Sequence, residues 1–137
     1  ETTENAPVKL KGSLNFVPVE KVLNADIWDL MPEEFPKVKD FSILDYFFAD
    51  YAVGLYVNQP ERGLFYFEFD ADPQPLNLDF KGYLEMVKYV KGVASWQPEL
   101  IDPAERTSHW VVEQLSQIFP EVNVADFYAL YDSVKLK

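Results

Sequence analysis

The stretch "LFYFEFDADPQPLNLDF" (64–80) decides the fold, because it combines a strand, a turn and the start of a helix. Three phenylalanines on alternate positions share one face of the strand: Phe65, Phe67 and Phe69. The other face carries Leu64, Tyr66 and Glu68. Because both faces are largely apolar or amphipathic, we predict a central strand that is covered at least partly on both sides.

The segments that flank this strand predict a small antiparallel sheet. Upstream, "NQPERG" (58–63) has the composition of a turn, and it follows "LYVN" (55–58), a short strand introduced by Gly54. The two strands therefore form a hairpin. Downstream, "LNL" (76–78) predicts a third short strand.

The aspartates that follow the strand raise the question of a calcium site. An EF-hand loop needs oxygen ligands at positions 1, 3 and 5, a glycine at position 6 and a bidentate glutamate at position 12. In a loop that begins at Asp70, Asp72 fits position 3, but position 6 is Pro75 and position 12 is Lys81. Proline cannot adopt the positive φ that glycine supplies. We predict turn residues here and no metal site.

Helical patterns lie on both sides of the predicted sheet. After it, Asp79 is expected to cap a helix that ends at Gly92, and "DPAE" (102–105) is expected to start a helix that stops at Pro120. Asn123 is expected to open a last helix that runs through Val134. Before the sheet, residues 16–31 predict one or two short helices.

A further short helix is predicted where Ser42 can act as its cap, carrying Ile43, Leu44, Phe47 and Phe48. Residues 1–12 are polar and without pattern, which is typical of a loose terminus. The order of elements predicts one α+β domain over residues 13–137, with a central, mostly antiparallel sheet and helices packed around it.

The charge and the residue types favour a protein partner over other ligands. The net charge of −11 would repel nucleic acid and anionic membranes, and it would attract a basic protein. The same charge also fits simple solubility. The absence of cysteine fits a reducing compartment, so we expect a cytoplasmic protein.

No enzyme class is indicated by the motifs. With His109 as the single histidine, a cluster of several histidines around a metal is excluded, and neither a nucleophile elbow nor a glycine-rich phosphate loop occurs. We therefore predict no catalytic residues and no cofactor. A pair of carboxylates for glycosidic chemistry stays open among the 23 acids, because sequence spacing does not give their separation in space.

The region 26–50 is acidic and broken by prolines, with Lys37 and Lys39 as its only basic residues. Acids beside aromatic rings are typical of a surface that receives a basic partner, with the rings as anchors. The candidate partner-binding residues are Asp26, Trp28, Asp29, Glu33, Glu34, Phe35, Asp40, Asp45 and Asp50. The alternative is an ordinary solvated surface over a core tryptophan.

Two stretches resemble the SMI1/KNR4 proteins of the SUKH superfamily. They are "GLFYFEFDADPQPLNLDFKGYLEMVKYVKGVASWQ" (63–97) and "IFPEVNVADFYALYD" (118–132). The resemblance implies an α+β fold without established catalysis. Many bacterial members are thought to be immunity proteins that block a cognate toxin, and the fungal members are linked to cell-wall glucan synthesis.

These observations lead to a hypothesis about function. We expect a non-catalytic protein-binding domain, an immunity protein that neutralises a cognate basic toxin. A regulatory or scaffold protein of the glucan-synthesis kind is the alternative, followed by a small hydrolase.

Overall fold

The computed structural model describes residues 12, 15–24, 28, 33, 37–47, 51–68, 71–101 and 110–137. Within them lie four strands: β1 (Phe41–Phe47), β2 (Tyr51–Tyr56), β3 (Phe65–Glu68) and β4 (Gln74–Pro75). They form one antiparallel sheet in the order β1-β2-β3-β4. The described helices are α1 (Val19–Asn24), α2 (Phe80–Tyr89), α3 (Trp110–Ile118) and α4 (Val124–Val134). The predicted single α+β domain is confirmed.

Strand β3 is buried on both faces, as its sequence predicts. Leu64, just before it, and Tyr66 belong to the main core, which the helices α2, α3 and α4 cover. Phe65 and Phe67 face the other way. They belong to a second core layer, whose buried members are Phe41, Ile43, Ala52, Phe65 and Phe67.

The predicted helix after Ser42 is wrong, because residues 41–47 form strand β1. This strand pairs with β2 from Phe41, opposite Tyr56, to Phe47, opposite Tyr51. Its apolar residues fit a helical spacing, but pairing with β2 buries Phe41 and Ile43 against the second core layer. Burial against a partner strand overrides weak local propensity. Strand β2 also begins at Tyr51, four residues before the predicted start.

The third predicted strand is displaced by two residues, since β4 covers Gln74–Pro75. The stretch "LNL" nevertheless runs beside the chain that leads into β3. The amide of Leu76 donates to the carbonyl of Leu64, and the amide of Leu64 donates to the carbonyl of Leu78. Leu76 and Leu78 are fully buried, so this stretch closes the main core.

The caps predicted at Asp79 and Asn123 are confirmed. Asp79 accepts the main-chain N–H of Gly82 at 2.7 Å, and Asn123 accepts that of Asp126 at 2.8 Å. After α2, Gly92 adopts φ 73°, a conformation that favours glycine. The "DPAE" start and His109 lie outside the described residues. So do residues 1–11 of the predicted loose terminus, whereas Gly12 forms a β-bridge with Val93.

None of the helices in the described part of the chain is both long and apolar enough to cross a membrane.

Candidate functional site

An apolar groove of about 370 Å³ lies between α1, the edge of the main core and the start of α2. Its lining includes Phe16, Val19, Leu23, Leu44, Leu55 and Phe80. Several of these side chains are open to solvent: Val19 and Leu23 are each 68% exposed, Phe80 46% and Phe16 37%. A contiguous exposed apolar patch of this kind is typical of an interaction site.

Helix α1 exposes apolar side chains because it is apolar on two faces. Val22 is buried. Val19 and Leu23, four residues apart, share a face that is largely exposed and lines the groove. A six-residue helix with an ordinary amphipathic pattern would carry polar residues there. Its exposed Glu20 and Lys21 have opposite charges, so the rim contributed by α1 is close to neutral.

Phe16 and Val17 form one side of the groove, and together with Asn15 we call them the N-terminal wall. The wall lies along β1: the amide of Val17 donates to the carbonyl of Leu44, and the amide of Tyr46 donates to the carbonyl of Asn15. The ring of Phe16 meets Phe80 edge-on, with the ring centroids 5.6 Å apart. The wall therefore bridges β1 and the first turn of α2.

A buried hydrogen-bond network lies behind the wall. The carboxylate of Asp45 accepts the main-chain N–H of Asn15 at 3.0 Å and the hydroxyl of Tyr83 at 2.8 Å. The side-chain amide of Gln97, in a 3-10 turn (Gln97–Leu100), donates to the same hydroxyl at 3.0 Å. Burial raises the pKa of Asp45, whereas the hydrogen bonds from Tyr83 and Asn15 lower it. Burial, and then the charge of Asp45, raise the pKa of Tyr83 well above its usual value.

Asp45 does not contribute to the predicted acidic surface, because this residue is only 1% exposed. The physical reason is a β-bulge between Ile43 and Asp45, which changes the alternation of side chains along β1. Asp45 therefore faces Tyr83 beneath the helices and cannot contact a partner from the surface. Asp45 as a partner-binding residue is a wrong prediction.

Trp28 is half-buried against the second core layer. Its indole N–H donates to the carbonyl of Phe41 at 3.1 Å, and its ring packs against Phe67. This placement fits the core alternative better than a protruding anchor. Glu33 and Asp40 are exposed. The other predicted partner-binding residues lie outside the described residues: Asp26, Asp29, Glu34, Phe35 and Asp50.

Two carboxyl groups lie close to one another on the helical side of the molecule. Burial, followed by the charge of Glu113, raises the pKa of Glu99 to about 8. Glu99 belongs to the 3-10 turn before Ile101, and Glu113 lies in the first turn of α3. Separately, Glu68 and Asp72 line a smaller pocket of about 230 Å³. In the described ranges, no group of three or more His, Cys, Asp or Glu residues could hold a metal ion.

The sequence did not predict the groove, although one signal for it was present. Val19, Val22 and Leu23 follow a helical spacing, which is normally read as one buried stripe. A stripe of that kind needs a second layer to cover all three side chains, and in the structure only Val22 is covered.

In comparisons with protein-family models, with curated proteins and with solved structures, no match to this chain was found.

Proposed function

We propose that this protein is a non-catalytic binding protein of the immunity type, which neutralises a basic toxin by covering part of its surface. The observation that carries the proposal is the apolar groove with its four exposed side chains, Phe16, Val19, Leu23 and Phe80. Covering apolar area of this kind with a partner stabilises a complex by about 25 cal/mol per Å² before the costs of association.

The net negative charge supports a basic protein as the partner. The chain has 23 acidic and 12 basic residues, so many carboxylates have no basic residue of the same chain to neutralise them. The described ion pairs are Lys88 with Glu85, Lys91 with Glu121 and Lys135 with Asp132. The surplus negative charge attracts a basic protein and speeds its encounter, while the groove supplies the short-range contacts that hold it.

The immunity role itself rests on the resemblance of residues 63–97 and 118–132 to SMI1/KNR4 proteins. The same resemblance supports the alternative, a regulatory or scaffold protein of the glucan-synthesis kind. The two differ in the partner: a toxin for the immunity role, and a protein of cell-wall synthesis for the regulatory role.

A binding assay with matched surface variants tests the proposal. The ligand is a purified basic toxin domain, sought among the products of the neighbouring genes, and the Kd is measured by calorimetry. Leu23→Ser and Val19→Ser should each weaken binding about tenfold, equivalent to about 1.4 kcal/mol. The matched control is Ile118→Ser, which changes an apolar side chain that is 51% exposed but lies on α3, outside the groove.

A second arm of the test is protection of growing cells from that toxin. The wild type and Ile118→Ser should protect, and the double variant of Val19 and Leu23 should protect less. Equal affinity of all variants would overturn the groove as the binding site. A high-affinity partner that is acidic would overturn the charge argument, and one from cell-wall synthesis would favour the regulatory role.

A further inference from the structure

We propose that Asp45 is a proton-controlled positioning residue for the groove: its buried carboxylate holds the N-terminal wall on β1, and protonation loosens that wall. The inference rests on the binding function proposed above, since it concerns how the same groove is kept open or closed to a partner.

The bulge in β1 brings the carboxylate to this place. Ile43 pairs with Gly54 and Asp45 pairs with Val53, so Leu44 is the additional residue between them. Val53 belongs to the main core, and Asp45, opposite it, points to the same side of the sheet. Without the bulge, Asp45 would follow Phe41 and Ile43 onto the second core layer, on the opposite side of the sheet from Tyr83 in the main core.

A single carboxylate thereby bonds both sides of the groove. One oxygen, Oδ1, accepts the N–H of Asn15, the residue before Phe16 in the N-terminal wall. The other, Oδ2, accepts the hydroxyl of Tyr83, which lies three residues after Phe80 on α2. Phe16 also packs edge-on against Tyr83, with the ring centroids 6.4 Å apart. The position of both groove-lining rings therefore depends on Asp45.

Protonation affects these two hydrogen bonds differently. A hydroxyl can donate or accept, so the Asp45–Tyr83 contact survives when the protonated Asp45 donates to the oxygen of Tyr83. Tyr83 can then donate to Oε1 of Gln97, once the side-chain amide of Gln97 flips so that its oxygen faces the hydroxyl. Gln97 is 2% exposed, and its Oε1 has no hydrogen-bond partner among the described residues. The hydrogen bond from Asn15 cannot reverse in this way, because a main-chain N–H only donates. When Asp45 is protonated, this bond therefore loses its ionised acceptor. Hydrogen bonds to an ionised group are roughly twice as strong as neutral ones.

Among Asp45 and the groups that face it, Asp45 is the one whose charge changes as the pH falls. Tyr83 faces it from α2, Gln97 from the 3-10 turn, the amide of Asn15 from the N-terminal wall, and Val53 from β2. Of these, only Tyr83 titrates, and burial keeps it neutral because it raises the pKa of its hydroxyl. Burial also raises the pKa of Asp45, so the carboxyl is protonated at a less acidic pH than an exposed aspartate.

Hydrogen exchange of the free protein, followed by NMR between pH 7 and pH 4, tests the proposal. The reporters are the amides of Val17 and Tyr46, which join the N-terminal wall to β1, and the control is the amide of Phe119, which bonds Leu115. As the carboxyl carbon signal of Asp45 titrates, the protection factors of Val17 and Tyr46 should fall roughly tenfold, while that of Phe119 stays constant.

Two variants sharpen the result. Asp45→Asn keeps a neutral acceptor for Asn15, so its protection at Val17 and Tyr46 should be low already at pH 7 and independent of pH. Tyr83→Phe removes a hydrogen bond that lowers the pKa of Asp45, so the fall in protection should move to higher pH.

Constant protection at Val17 and Tyr46 while Asp45 titrates would overturn the proposal, and so would an equal loss at Phe119, which means global unfolding. The experiment needs no partner. If the groove variants fail to weaken toxin binding, the proposed function is refuted, but the hydrogen-exchange result at Val17 and Tyr46 is unaffected. If the hydrogen-exchange result fails, the proposed binding function is likewise unaffected.

Discussion

The indole ring of Trp28 packs edge-on against the ring of Phe67, with the two centroids 6.4 Å apart. Phe67 in turn meets Phe41 at 5.5 Å. These contacts cover the face of the sheet that α2, α3 and α4 leave open, and they bury Phe67 to 1% exposure. Trp28, an aromatic residue of the acidic region, thus packs against the second core layer.

Truncating the central ring of this layer should be costly. Phe67→Ala is expected to lower the free energy of unfolding by about 3 to 5 kcal/mol, because it removes a fully buried side chain and leaves a cavity. Urea unfolding measures this change. Phe80→Ala, at a partly exposed ring, is the control and should cost roughly 1 kcal/mol. Equal costs for the two variants would contradict the two-sided burial of β3.

Gly54 should not tolerate a side chain. A Cβ at this position would collide with the carbonyl oxygen of Ser42 and lie 2.7 Å from the ring of Phe41. Gly54→Ala is therefore expected to destabilise the protein by about 3 kcal/mol, because β1 must move away at the bulge. Gly12→Ala is the control, since its Cβ would meet only an ordinary contact at 3.6 Å. A thermal shift of similar size for both variants would contradict this account.

Stability should decline as the pH rises, because the pKa of Glu99 is about 8 in the folded protein and 4.5 is its ordinary value. Between these values the folded state keeps a proton that the unfolded state loses. The contribution of Glu99 is therefore fully present below pH 4.5, and it is lost as the pH rises to about 8. Each pKa unit corresponds to at most about 1.4 kcal/mol, and solvent screening lowers this figure because Glu99 is only partly buried.

Urea unfolding at pH 5 and pH 8.5 checks this expectation. Glu99→Gln should remove most of the decline in stability, because the glutamine amide is neutral at both pH 5 and pH 8.5. Glu113→Gln should move the decline to lower pH, because the charge of Glu113 contributes to the raised pKa of Glu99. If the free energy of unfolding of Glu99→Gln falls between pH 5 and pH 8.5 as much as that of the wild type, another group causes the pH dependence.

Charge reversal on the described part of the acidic region should slow association with a basic toxin. Glu33→Lys combined with Asp40→Lys, both at exposed positions, is expected to lower the on-rate several-fold at low salt and to change the off-rate little. Raising the ionic strength to 0.15 M, where the screening length is about 8 Å, should reduce the difference. Stopped-flow or surface-based kinetics at two salt concentrations measure it. If the on-rate changes with neither the charge reversal nor the ionic strength, electrostatic steering is contradicted.

Much of the fold could be predicted because its signals are local. Asp79 and Asn123 cap helices through hydrogen bonds to residues three positions away, and such bonds depend on a few neighbouring residues. The alternation in β3 likewise lies within consecutive residues, and both of its faces are buried as expected. These features, together with the net charge and the α+β class, were determined by the sequence alone.

The tertiary structure decided the features that depend on residues far apart in the chain. Whether residues 41–47 form a helix or a strand was settled by pairing with β2, and the bulge in that pairing turned Asp45 from a predicted surface acid into a buried partner of Tyr83, 38 residues away. The exposure of Val19 and Leu23 was settled by which neighbours fail to cover α1. Burial is a property of the assembled surfaces, and a periodic pattern states only which side chains share a face.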